Sequence, residues 1–104
     1  MDISVIKNII AEKTAVLLYF YNDNCAPCKI LRPKVQDLIE SDFPVMEFFL
    51  MNAEQYPEVA AEYGVFASPS ILVFFEGKEF IRESKNVSIS ELHIKIARYY
   101  NLVF

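Results

Sequence analysis

Only two cysteines occur in this chain of 104 residues, and they stand three positions apart in Cys25-Ala26-Pro27-Cys28. Random placement would give that spacing in about 2 of 100 cases, so the pair asks for a chemical reason. Two sulfurs this close can open and close as a disulfide, with Pro27 stiffening the link between them. A thiol of ordinary pKa, about 8.5, is mostly protonated at neutral pH, whereas the nucleophile is the thiolate. Asn22-Asp23-Asn24 supplies turn and cap chemistry, which predicts a helix beginning at about Cys25. Unpaired N–H groups at a helix start, together with the helix dipole, favour an anion on the Cys25 sulfur. Cys28, one turn inside, is expected to be less accessible and placed to attack a mixed disulfide. Cys25 is then the attacking thiol and Cys28 the resolving one.

Two other readings of the pair stay open on these residues alone. Both thiols could be inert and buried. A structural zinc would need about four ligands, and with one His and no second cysteine pair such a site would have to be shared across a dimer. A metal or cluster carried in that way is the form this reading takes.

The rest of the composition narrows the class. Hydrophobic residues make up 54% of the chain and aromatic residues 14%, enough for a dense interior in a single domain spanning 1–104. A net charge of −4 and the lack of a basic stripe argue against nucleic acid as a partner. The longest apolar run, Ala15 to Tyr21, is far shorter than the roughly 20 residues a membrane helix needs. The opening residues MDISVIKNIIAEKTA carry charges through what would be the apolar core of a secretory leader. A cytoplasmic location is therefore expected, and there disulfides are usually transient and catalytic.

Elements to position the cysteines can be read from periodicity. Ile3 to Lys13 places apolar residues 3, 6, 9 and 10 on one helical stripe. Ala15–Tyr21 is apolar on both alternating faces, as in a strand buried between helical layers. The helix from Cys25 continues through Leu31, Val35, Leu38 and Ile39, with a kink expected at Pro33. A second strand follows Pro44 over Val45–Met51, then a short helix between Pro57 and Gly64. Ser70–Phe75 is a third strand, turned by Glu76-Gly77-Lys78 into a charged edge strand, Glu79–Glu83. Ser88 and Glu91 form a capping box for a last helix with Ile89, Leu92, Ile96 and Tyr99 inward. The order α-β-α-β-α-β-β-α predicts an α/β fold. Strands separated by helices are expected to pair in parallel through right-handed crossovers, and the final pair to form an antiparallel hairpin. The result is a central mixed four-stranded sheet with helices on both faces.

Asn24-Cys25-Ala26-Pro27-Cys28-Lys29, after an apolar strand and before Pro33, resembles the active site of the thioredoxin family. Tyr63-Gly64-Val65-Phe66-Ala67-Ser68-Pro69-Ser70-Ile71 is similar to that family's segment leading into its cis-proline and the next strand. Asn52, Pro57 and Gly77 also fall at matching intervals, so the resemblance covers nearly the whole chain. It implies a thioredoxin-like fold, with Pro69 as a cis-proline beside the dithiol. The backbone at Ser68 would then bind incoming substrate by a short β-pairing, with Asn24, Ala26 and Pro27 lining the same contact surface. It also implies protein-disulfide reduction with no organic cofactor or metal beyond the Cys25–Cys28 pair. Partners would be disulfide-containing proteins and a thioredoxin reductase or other dithiol donor.

The chain departs from the family pattern in ways that bear on mechanism. Asn24 stands where the family usually has Trp, and Ala26 replaces Gly. Tyr19 occupies the position of a buried Asp that assists proton transfer at the resolving thiol, and Leu50 that of its Lys partner. Tyr19, with an ordinary pKa of about 10, is a poor base near neutrality, so a slower resolving step is expected. The family's first strand is absent or vestigial, which should expose the sheet edge at Val45–Met51. A groove-lining Gly aligns with Lys85 or Asn86, so substrate preference should differ. His93 is expected at the surface, and the apolar tail Tyr99–Phe104 is expected to pack on the core of a monomer, with a dimer contact as the alternative. The alternative to an enzyme is a thioredoxin-fold binding module, or a dedicated redox partner with low general turnover.

Overall fold

The apolar run Ala15–Tyr21 becomes β1, an interior strand whose first six residues are buried. A computed structural model describes residues 2–104. Around β1 the chain forms α1 (Ile3–Glu12), α2 (Ala26–Asp42), β2 (Glu47–Asn52), α3 (Pro57–Glu62), β3 (Ser70–Phe75), β4 (Lys78–Ser84) and α4 (Ile89–Val103). Asp2 accepts the Val5 N–H and starts α1, while Ser88 accepts the Glu91 N–H and starts α4. The strands lie in the order β2-β1-β3-β4, with β1 and β2 parallel and the other two pairs antiparallel.

Alternation along β1 divides the interior in two. Val16, Leu18 and Phe20 meet Ile6 and Ile10 of α1 with Val59 and Ala60 of α3. Leu17 and Tyr19 face the other way, toward Val35, Leu38 and Ile39 of α2 with Leu92 and Ile96 of α4. A strand covered on both faces has no polar side, which is why its sequence is continuously apolar.

Several expectations are corrected in detail. The link through α3 does not produce a parallel neighbour: β3 pairs antiparallel with β1. A helix of six residues rises about 9 Å, too little to retrace the roughly 20 Å of a six-residue strand such as β2. The chain therefore re-enters the sheet at the end it left, where Tyr21 pairs with Asn52 and Phe20 with Ser70. β2 begins at Glu47 rather than Val45, because the Met46 N–H closes a turn onto the Phe43 carbonyl at 3.0 Å. β2 is an edge of the sheet, as expected. Helix α2 runs unbroken through Pro33.

The β3–β4 turn is shorter than the sequence indicated. Phe75 pairs with Lys78, leaving Glu76-Gly77 as a two-residue loop. Both residues have positive φ, 50° and 83°, as a type I′ turn requires. A register shift between Val73 and Phe74 then leaves Phe80 unopposed, and its ring packs against Phe75 and Tyr99. The terminal segment divides: Tyr99, Tyr100 and Val103 pack on the core, while Leu102 and Phe104 are exposed. His93 is half-exposed and reaches Asp42 at 3.4 Å.

Glutamate is poorly suited to positive φ, whereas Asn tolerates it. Glu76→Asn should stabilise the fold by about 0.5–1 kcal/mol and raise Tm by several degrees. Thermal unfolding would check this, and an unchanged or lower Tm would contradict the turn assignment.

Candidate active site

Re-entry of β3 beside the end of β1 is what assembles the site. The turn after β1 is fixed by Asn22, whose side-chain oxygen accepts the Asn24 N–H at 3.0 Å and whose carbonyl accepts the Cys25 N–H at 3.3 Å. Asn52, at the end of β2, donates to Asp23 at 3.2 Å and accepts the Glu54 and Gln55 N–H groups. Those contacts hold the chain just before the cysteines, and the helix cap follows directly.

Cys25 is the N-cap of α2, and its sulfur accepts the Cys28 N–H at 3.2 Å. A donor from the first turn aimed at Sγ favours a thiolate there once the bond is reduced. Cys28 lies within the first turn. Both are nearly buried, Cys25 at 7% exposure and Cys28 at 2%, so the outer sulfur is the one a substrate can reach. The two are joined, with a Cα–Cα distance of 5.3 Å. Pro27 occupies a first-turn position where a missing N–H costs nothing.

Opposite the dithiol the Ser68–Pro69 peptide bond is cis, and Pro69 is buried. Ser70 anchors this segment by donating its hydroxyl to the Ala67 carbonyl at 2.6 Å. The Pro69 carbonyl accepts the Lys85 N–H at 2.8 Å, so the loop after β4 is tied to the proline. Lys85 adopts φ 64°, a left-handed conformation that costs an L-residue roughly 1–2 kcal/mol. Asn24 is exposed in the turn before the helix.

Two open grooves lie at this end of the sheet, one lined by Ala26 and Pro27 of the dithiol segment and one by Ser68. One, of about 580 Å³, has an apolar floor including Ala26, Pro27, Leu31 and Val87, with Lys34 and Lys85 at its rim. The other, of about 330 Å³, runs past Ser68 and carries Phe66, which is 90% exposed. Lys34 and Phe66 were not singled out from the sequence as site residues. Lys34 could have been found by helical spacing, since it lies on the same face of α2 as Pro27 and Leu31. Nothing local distinguishes Phe66 from a core aromatic.

Behind Cys28 lies a cavity of about 190 Å³ lined by Tyr19, Asp23, Lys29 and Arg32 among others. Tyr19 is fully buried, and its hydroxyl donates to the Cys28 carbonyl at 2.7 Å. Burial pushes its pKa up to about 12, with Arg32 opposing the shift. The phenol is thus a fixed donor to the backbone and carries its proton throughout the neutral range. Leu50 is the cross-strand partner of Tyr19 and packs on the same core. The two positions are neighbours, as a replaced pair should be. Among the described residues no group of three or more His, Cys, Asp or Glu side chains is placed to hold a metal.

Because the phenol's folded pKa lies above its unfolded value of about 10, Tyr19 contributes stability that is complete below pH 10. That contribution is lost as pH rises through about 12. Unfolding free energy should fall between these values more steeply in the wild type than in Tyr19→Phe. Parallel pH profiles of the two would contradict a buried phenol.

Known proteins give this geometry a context. The sequence model of the Thioredoxin family matches residues 4–98. A thioredoxin-like protein of Bacillus subtilis, YdfQ, is 31% identical over 97 residues, covering 93% of this chain and 86% of that protein. The thioredoxin of Buchnera aphidicola is 32% identical over 89 residues, covering 86% and 81% respectively. Among solved structures, Fasciola hepatica thioredoxin superposes with a TM-score of 0.78 at 32% identity, over 90% of this chain and 89% of that one. Oxidised mitochondrial thioredoxin 3 of Saccharomyces cerevisiae superposes at 0.84 with 23% identity, over 93% and 90%, which speaks to the fold alone. Sequence, fold and the paired CxxC and cis-proline segments agree: the chain belongs to the thioredoxin family.

Proposed function

We propose that this thiol–disulfide oxidoreductase reduces protein disulfides with Cys25 as the attacking thiolate and Cys28 as the resolving thiol. The observation that carries the assignment is the Cys28 N–H directed at Cys25 Sγ from the first turn of α2. In the first step the Cys25 thiolate attacks one substrate sulfur, and the other substrate sulfur leaves as a thiolate. Cys28, once deprotonated, then attacks Cys25 Sγ. The second substrate thiolate departs, Cys25–Cys28 closes as a disulfide, and the substrate has gained two electrons. A thioredoxin reductase or another dithiol restores the pair. No cofactor beyond the disulfide enters these steps.

Substrate would lie across the Ser68 backbone beside Pro69, with Ala26 and Pro27 as neighbouring contact surface and Asn24 at its margin. Support for this comes from the position of the Ser68–Pro69 bond at the start of β3, facing the dithiol end of the sheet. Tyr19 and Leu50 modulate the second step by removing a buried carboxylate from the strand behind Cys28, which leaves Asp23, held by Asn52, as the carboxylate lining that cavity. Proton removal then falls to Asp23, to water in that cavity or to the departing thiolate. A cytoplasmic protein acting as a single-domain monomer accords with both cysteines being given to one reversible pair.

Reduction of insulin driven by dithiothreitol should be catalysed by the wild type and fall to the uncatalysed rate in Cys25→Ser. Equal rates for the two would instead favour a binding module that keeps the dithiol without turnover. Cys28→Ser should accumulate a mixed disulfide with substrate, visible as a mass adduct on Cys25. Tyr19→Asp should accelerate the resolving step by the order of 10-fold between pH 6 and 8 in single-turnover measurements. No acceleration there would show that proton transfer does not limit closure.

A further inference from the structure

We infer that the groove of Lys34 and Lys85 selects disulfide substrates whose cysteine is flanked by acidic residues, a preference that rests on the dithiol chemistry proposed above. The distribution of unpaired charge is the first observation. Of the ten Lys and Arg side chains, Lys7, Lys13, Arg82 and Lys95 are ion-paired with carboxylates. The other six are not, among the described residues: Lys29, Arg32, Lys34 and Lys85 line cavities beside Cys25 and Cys28, while Lys78 and Arg98 lie elsewhere. The chain as a whole has a net charge of −4. Four of the six cations without a partner thus stand beside the dithiol, in a protein whose net charge is negative.

The groove itself is the second observation. No carboxylate lines it, and its floor is apolar, with Ile30 64% exposed at its edge. An extended peptide could bury an apolar side chain there and present carboxylates to the two ammonium groups on the rim. Pro27, Leu31 and Lys34 stand at i, i+4 and i+7 along α2, so one helix face leads from the cysteines to the Lys34 stem. Helical side chains lean toward the N-terminus, which carries that ammonium back toward the dithiol. The rise from Cys25 to Lys34 is about 14 Å, or about four residues of an extended substrate.

Lys85 supplies the third observation. Its N–H is bonded to the Pro69 carbonyl, and its φ of 64° is a conformation glycine would adopt freely. A long cationic side chain is held there despite an unfavourable backbone. Strained residues of this kind collect at functional sites, where surrounding structure enforces them. Lys85 therefore serves an acidic residue near the substrate cysteine, and Lys34 one farther along.

Two disulfide-bridged peptides test the assignment, identical except that glutamates or lysines occupy the four positions on each side of the attacked cysteine. Second-order rate constants are measured with the fully reduced protein, the peptide disulfide taking both electrons as Cys25–Cys28 closes. The wild type should favour the glutamate peptide by the order of 10-fold at low salt. The preference should collapse in 1 M salt, where the screening length is about 3 Å, and in the double variant Lys34→Gln/Lys85→Gln. Lys78→Gln removes one charge from the hairpin end of the sheet and should keep the preference, which separates the groove from net charge. Similar rates for both peptides in the wild type would overturn the inference, as would a preference that survives in the double variant. Reduction of neither peptide would overturn the dithiol chemistry and this inference with it.

Discussion

Everything at this site depends on the start of α2 being held at the carboxyl end of β1. A helix start presents N–H groups that its own turns cannot satisfy. Here one of them, on Cys28, points at a sulfur rather than at a conventional capping oxygen. The cap and the proposed nucleophile are therefore the same side chain. Asn22 and Asn52 fix the turn that delivers Cys25 to this position, and the parallel pairing of β1 with β2 fixes Asn52. A change in that local geometry would alter thiol chemistry before it altered the fold.

The same helix is anchored from behind by a bond that has nothing to do with proton transfer. Tyr19 joins the centre of the sheet to the Cys28 carbonyl, filling the interior with a ring instead of an ionisable carboxylate. Burying a carboxylate and an ammonium together carries a desolvation cost that well-packed apolar groups avoid. Tyr19 opposite Leu50 removes that cost and supplies a neutral hydrogen bond. That bond supports the helix start through the Cys28 carbonyl. The two cysteines thus have different surroundings: the Cys25 sulfur accepts the Cys28 N–H, and the Cys28 carbonyl accepts the Tyr19 hydroxyl.

Much of this was legible in the sequence, for identifiable reasons. Ser70–Phe75 could be read to the residue because an apolar run is bounded by Pro69 on one side and Glu76-Gly77 on the other. Cys25 as a helix start followed from Asn22-Asp23-Asn24 and Pro27. The antiparallel entry of β3 was missed although the short helix between Pro57 and Gly64 was read, because the parallel-crossover expectation was applied to a helix too short to retrace the sheet. Lys85 in a left-handed conformation was equally hidden, since nothing about lysine favours positive φ and the cause is its bond to the Pro69 carbonyl. Phe66 escaped notice because an aromatic residue between Val65 and Ala67 looks like core until its neighbours are placed. Family resemblance supplied the significance of Tyr19 and Leu50, and the strand register shows that they are direct partners.

The central claim is that the two sulfurs are unequal because one of them caps a helix. Alkylation of the reduced protein by iodoacetamide across a pH series, with each cysteine followed separately by mass spectrometry, tests it most directly. The account predicts that Cys25 reacts first, along a titration curve whose midpoint lies below the roughly 8.5 of a free thiol, while Cys28 stays protected until higher pH. Equal reactivity of the two cysteines, or earlier reaction of Cys28, would contradict it.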